Sequence, residues 1–150
     1  MKRLNDDYRG DRVTVHLFHG KKAHHFKHYI PVHMSEEKPN LCVIIAGGND
    51  LSGKSTPLQI ANELIEAGIA CKNNGASRVF VGSVLPRADP RLQGKRSELN
   101  NILASLCMVH NFEFMDNSNM NLCHLSFDGV HLSNYGSEQL LFNVLWYLNG

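Results

Sequence analysis

Leu41-Cys42-Val43-Ile44-Ile45-Ala46-Gly47-Gly48-Asn49-Asp50-Leu51 decides how this sequence is read. Leu41 to Ala46 is a continuous apolar run, with Pro39 before it and two glycines after it. A run of this kind, without polar alternation, is the pattern of a parallel strand covered on both faces. The period then changes. Leu58, Ile60, Ala61, Leu64 and Ile65 recur at helical spacing, which predicts a helix from about Ser55 or Thr56 to Cys71. A strand, a glycine turn and a helix in succession form the unit from which parallel α/β sheets are built.

The alternation continues on both sides. Val13, Val15 and Leu17 alternate with Thr14 and His16, so residues 12–18 read as a strand that Gly20 ends. Nothing upstream of Val13 reads as a strand. Lys21 to Tyr29 reads as a short helix before Pro31. Downstream, Ser77 to Leu85 reads as a second buried strand, stopped by Pro86. Arg91 to His110 follows as a helix, and Phe112 to Met115 as a third short buried strand. A loop rich in Asn and Ser, Asn117 to Ser126, leads to Asp128. The last helix begins near a Ser133 cap, and Leu140, Leu141, Val144, Leu145 and Leu148 form its apolar stripe. With no repeat or linker in between, residues 1–150 are expected to form one domain, with a parallel sheet of about four to five strands between helical layers.

Bulk properties narrow the function classes. The chain of 150 residues is 43% hydrophobic and 19% charged, an ordinary composition for a globular protein with its own core. A net charge of +1 predicts no attraction to nucleic acid or to acidic membranes. No apolar run approaches the ~20 residues that span a bilayer. The start of the chain, Met1 to Asp7, has no apolar stretch after its basic residues and does not read as a signal peptide. Cys42, Cys71, Cys107 and Cys123 are widely spaced, so reduced thiols and a cytoplasmic location are expected.

Ligands of open α/β sheets bind at the carboxyl ends of the strands. Gly20, the segment Gly47 to Asp50, and the segment Asp128 to His131 all leave such ends. A glycine N–H and an asparagine amide together can stabilise the oxyanion of an acyl-transfer intermediate. An aspartate three residues before a histidine can hold one ring nitrogen and leave the other as general base.

These residues resemble a known family. Gly47-Gly48-Asn49-Asp50-Leu51 looks like the Gly-x-Asn-Asp block of the SGNH (GDSL) hydrolases. Asp128-Gly129-Val130-His131, followed by Gly136, looks like their Asp-x-x-His block, and Gly20 is placed like their second-block glycine. The resemblance implies a three-layer, flavodoxin-like parallel sheet with helices on both faces. It also implies an ester or acyl substrate, Asn49, Gly20 and Gly47 as oxyanion or substrate contacts, His131 as base and Asp128 as its orienting partner. No metal or organic cofactor is needed for that chemistry. One departure is large. The family's Gly-Asp-Ser block should precede the Gly20 strand, yet the first serine here is Ser35. The first, central strand of the family's sheet and its nucleophile are therefore expected to be missing, as in a fragment or an inactive relative. An incomplete sheet would leave an edge open and favour association of the chain with itself.

Other readings compete. Without the nucleophile, the same fold could serve as a non-catalytic binding or assembly module. Residues 48–55 also match the P-loop pattern GxxxxGK[ST] between a strand and a helix, which would make the chain a nucleotide-binding protein. Pro57 in the first helical turn and the unexplained Asp128/His131 pair count against that. Among the nine histidines, His24 and His28 are four apart on a predicted helix, but no glutamate lies between them and no spacing completes a metal site. Arg87 follows Val84-Leu85-Pro86 at another strand's carboxyl end, placed either for an anionic substrate group or for a surface ion pair. Rapid turnover would mean that another serine, such as Ser52 or Ser126, has taken the nucleophile's place.

Overall fold

The computed structural model describes residues 22–149 in full and the backbone of residues 2–8 and 11–15. In chain order the elements are β1 (Lys2–Tyr8), β2 (Asp11–Val15), α1 (Phe26–Glu37), β3 (Leu41–Ile44), α2 (Pro57–Asn73), β4 (Arg78–Gly82), α3 (Gln93–His110), β5 (Glu113–Met115) and α4 (Asn134–Asn149). Short 3-10 turns fill several connections. The central sheet is parallel, in the order β3-β4-β5. Its three described strands are fewer than the four to five expected. The predicted 12–18 strand is realised as β2, but it pairs antiparallel with β1 and does not join the central sheet. β1 was not anticipated, because its polar sequence, Lys2-Arg3-Leu4-Asn5-Asp6-Asp7-Tyr8, carries no strand period. The end of the predicted strand and Gly20 lie outside the described residues.

Side-chain parity fixes the two faces of the sheet. Val79 and Val81 on β4 join Cys42 and Ile44 on β3 in a core with Ile60, Leu64, Leu99, Leu103 and Cys107 of α2 and α3. Leu64, Leu99 and Leu103 are fully buried, so truncation of any one to Ala removes about 2–5 kcal/mol. Phe80 and Met115, also fully buried, point to the opposite face. There α4 is anchored by Asn143, whose amide donates to Asn117 Oδ1 at 3.1 Å. Helices thus cover both faces, as a parallel sheet requires.

Local chemistry explains most helix boundaries. Thr56 Oγ1 accepts from the Gln59 N–H at 3.2 Å, and Gln59 Oε1 accepts from the Thr56 N–H at 2.8 Å. With Pro57 at the first helical position, this reciprocal cap starts α2. Ser133 Oγ likewise accepts from the Gly136 N–H at 3.0 Å and starts α4. One boundary differs from expectation. The helix predicted before Pro31 instead runs through it to Glu37 and stops at Lys38, which is left-handed at φ 47°. Pro31 costs α1 one hydrogen bond, but packing of Phe26, Ile30 and Met34 against the core outweighs that local loss. β3 differs too: its residues are only partly buried, because it is an edge strand of the described sheet.

Candidate active site

Two loops leave the carboxyl ends of β3 and β4, and a third follows β5. In the first, Gly47 is buried at φ +103°, a conformation that favours glycine, and a Cβ there would sit 3.1 Å from Val84 Cγ2. A 3-10 turn over Gly48–Asp50 follows. Asp50 is buried and its carboxylate accepts the Ala23 N–H at 3.0 Å, tying the segment before α1 to the loop. Burial pushes its carboxyl up, against the pull of that N–H and of Lys22.

In the second loop, Arg87 Nη2 donates to Asn49 Oδ1 at 3.1 Å. Gly48 gives the guanidinium room, since a Cβ there would collide with it. The neighbouring Ala88 N–H donates to the Gly129 carbonyl at 2.9 Å. The second loop therefore touches both the first and the third.

The third loop carries the histidine. The Ser126 N–H donates to the His131 carbonyl at 2.7 Å, and Leu125 pairs with Leu132, so residues 126–131 form a closed turn. Inside it Asp128 Oδ1 accepts from Ser126 Oγ (2.7 Å), Val130 N–H (2.8 Å) and His131 N–H (2.9 Å). Asp128 Oδ2 lies 2.6 Å from His131 Nδ1. The same aspartate is thus both the cap of the turn and the partner of the ring. A carboxylate at Nδ1 places the ring proton there and leaves Nε2 as the basic nitrogen. Nε2 has no hydrogen-bond partner among the described residues, and the His131 side chain is 69% exposed, so the ring faces solvent. The ring, the two N–H groups and the hydroxyl hold the Asp128 carboxyl well below the usual carboxylate range.

Of the residues singled out from sequence, Asn49 and Asp128 both act on Arg87, the first by the hydrogen bond and the second through charge. His131 stands beside Asp128. Gly47 sits at the root of the Asn49 loop, and Gly20 lies outside the described residues. Among the described residues, no serine hydroxyl is hydrogen-bonded to the His131 ring. Ser126 commits its hydroxyl to Asp128, and Ser52 is exposed on the first loop. Sequence reasoning missed the bridging position of Arg87, whose one legible signal was a cation just after a strand end.

The segment of the P-loop pattern has its own geometry. The N–H groups of Asp50, Leu51 and Gly53 donate to carbonyls within the loop, while the Asp50 and Gly53 carbonyls accept from Lys95 Nζ at 3.5 and 3.1 Å. Carbonyls converging on an ammonium are the reverse of an anion nest. No group of three or more His, Cys, Asp or Glu among the described residues is arranged to hold a metal ion. All four cysteines are free thiols, and no described helix is long and apolar enough to cross a membrane. A cleft of about 290 Å³ lies elsewhere, between the loop after β5 and α4, and shares no lining residue with Asn49, Asp128 or His131.

No family profile and no curated protein sequence matches the chain. Solved structures do. A GDSL-like lipase from Bacteroides thetaiotaomicron superposes with a TM-score of 0.70 at 20% identity, over 87% of this chain and 71% of that one. A carbohydrate esterase family 3 protein from Talaromyces cellulolyticus gives 0.73 at 17% identity, over 86% and 67%. The aryl esterase of M. smegmatis gives 0.67 at 22% identity, over 82% and 66%. The chain is thus built as an open parallel α/β sheet of the kind found in ester-cleaving enzymes. Its fold is that of the SGNH/GDSL hydrolases.

Proposed function

We propose that this chain is an SGNH-type ester hydrolase domain, directed at ester or acyl substrates, that as it stands does not turn them over. The observation that supports this most is the 2.6 Å approach of Asp128 to His131 Nδ1, with the opposite carboxylate oxygen fixed by three further donors. That arrangement leaves Nε2 to take a proton from a nucleophilic hydroxyl, and Asp128 to stabilise the imidazolium that results. The Asn49 amide and the N–H groups of Gly47 and Gly20 are the donors for the developing oxyanion. The chemistry calls for no cofactor. Among the described residues no serine hydroxyl stands against Nε2, and without a nucleophile only the small rate due to oxyanion donors and binding is left.

Hydrolysis of p-nitrophenyl acetate tests this reading. The expected rate is that of buffer or slightly above it, with no labelling by a serine-directed fluorophosphonate. Saturable turnover lost in His131→Ala would instead show that another serine, Ser52 or Ser126, has taken over.

A second reading, a non-catalytic binding or assembly module on the same fold, is favoured by a separate observation. Phe142 and Trp146 on α4 are each 64% exposed, and β3 is an edge strand. Such surfaces favour self-association, which light scattering across a concentration series would detect. The nucleotide reading draws no support from a loop whose carbonyls face Lys95. Free thiols and a near-neutral charge suit a cytoplasmic protein that binds neither nucleic acid nor membranes.

A further inference from the structure

Four arginine side chains are described, and two of them are paired with carboxylates. Arg78 grips Glu113 through two bonds of 3.0 and 2.7 Å, and Arg91 chelates Asp89. Arg96, half-buried and without an ion pair among the described residues, donates from Nε to the Val84 carbonyl at 2.9 Å and from Nη1 to Gln93 Oε1 at 3.5 Å. Arg87 differs. Among the described residues it makes one hydrogen bond, to Asn49, and forms no ion pair.

A guanidinium has five N–H donors, so most of those on Arg87 are open. It is also half-buried, and burial pulls it below its ordinary pKa while the Asp128 charge works in the opposite direction. Holding a partly desolvated cation with no carboxylate in contact is costly unless a ligand completes it. Asp128 acts on it through charge alone, since no hydrogen bond or ion pair joins the two, and the carboxylate is held instead by Ser126, Val130 and His131. The loop is shaped around the group: a Cβ on Gly48 would lie 3.0 Å from Arg87 Nε and 3.1 Å from Cζ.

We propose that the ligand of this site carries a carboxylate, received by Arg87 beside the acyl group that Asn49 and His131 address. This rests on the acyl-site reading above. A guanidinium fork matches a carboxylate through two parallel bonds, which gives geometry as well as affinity. The bond to Asn49 adds a second effect. It fixes the amide so that its oxygen faces Arg87 and its NH2 end turns away from the cation.

Backbone amide NMR titration at low salt tests the proposal with three probes: monomethyl succinate, its neutral dimethyl ester, and inorganic phosphate. Monomethyl succinate is expected to saturate, to shift the amides of Asn49, Ala88 and Gly129, and to bind at least about tenfold tighter than the dimethyl ester. Phosphate is expected to be the weaker anion. Arg87→Gln should abolish the preference for the anion, so that the two succinates bind alike. Arg87→Lys should keep part of it. Gly48→Ala, which retains the charge but displaces the guanidinium, should weaken it in a folded protein. Equal binding of the two succinates overturns the proposal, as do a preference that survives Arg87→Gln, phosphate binding ahead of the monoester, or no saturable binding at millimolar concentration. If both succinates shift Asn49 and His131 equally, only this proposal fails. If an Arg87-dependent preference exists without any shift at Asn49 or His131, the acyl-site reading fails and the anion site stands.

Discussion

Ala88 and Gly129 are joined backbone to backbone: the Ala88 N–H reaches the Gly129 carbonyl at 2.9 Å, and a Cβ on Gly129 would lie 2.6 Å from the Ala88 Cβ. Gly129 is also left-handed, at φ +71°. The Arg87 loop and the Asp128 turn can therefore meet this closely only if residue 129 has no side chain. Gly129→Ala is expected to destabilise the protein by about 1–3 kcal/mol, combining left-handed strain with the clash. Urea denaturation checks the magnitude. Amide shifts confined to residues 86–89 and 126–132 would show that the damage is local, and a variant as stable as the parent would mean that the two loops do not touch in solution.

Asp128 is expected to stay ionised well below the pH at which an ordinary aspartate protonates. Its folded-state pKa is depressed, first by the His131 ring and then by the N–H groups and the Ser126 hydroxyl. The stability it contributes is therefore present above about pH 3.9, the unfolded value, and lost as pH falls through the lower folded value. Carboxyl carbon NMR reads the titration directly. His131→Ala should move it upward, and an Asp128 midpoint at the ordinary value in the parent protein would contradict the turn geometry.

Asp50 should behave in the opposite sense. Burial raises its pKa, so its charged form is a cost that sets in as pH rises through the folded value and is absent below the unfolded one. Asp50→Asn keeps an oxygen acceptor for the Ala23 N–H without the desolvated charge. It should match or exceed the parent in melting temperature at pH 7 and lose any advantage near pH 3. Asp50→Ala leaves the Ala23 N–H without its acceptor and should cost about 1–3 kcal/mol.

Lys54 should be silent. It is exposed, and the loop before it turns carbonyls toward Lys95 and closes its N–H groups internally. Magnesium and ATP are expected to leave the melting temperature unchanged in the parent and in Lys54→Ala alike. A rise of several degrees, absent in the variant, would establish nucleotide binding, because a ligand specific for the folded state stabilises it.

The sequence signals that proved readable were local ones. Thr56, Pro57 and Gln59 specify the start of α2 within four residues, and Ser133 does the same for α4. The Asp128 turn is also local, which is why three residues of spacing sufficed to pair it with His131. Non-local properties could not be read. The apolar run from Leu41 says that β3 prefers a covered environment, yet only the sheet order makes it an edge strand. Pro31 signals a helix end, and packing of residues on either side overrides it. Arg87 and Asn49 are 38 residues apart and meet only once the sheet has formed.

Among the described residues, every hydrogen bond that orients the His131 ring comes from within residues 126–131. Closing so short a segment costs little chain entropy, and segments of this length search their conformations in tens of nanoseconds. The histidine–aspartate pair can therefore assemble before the strands associate and persist when distant parts of the protein loosen. Its geometry is a property of a short peptide that the fold carries.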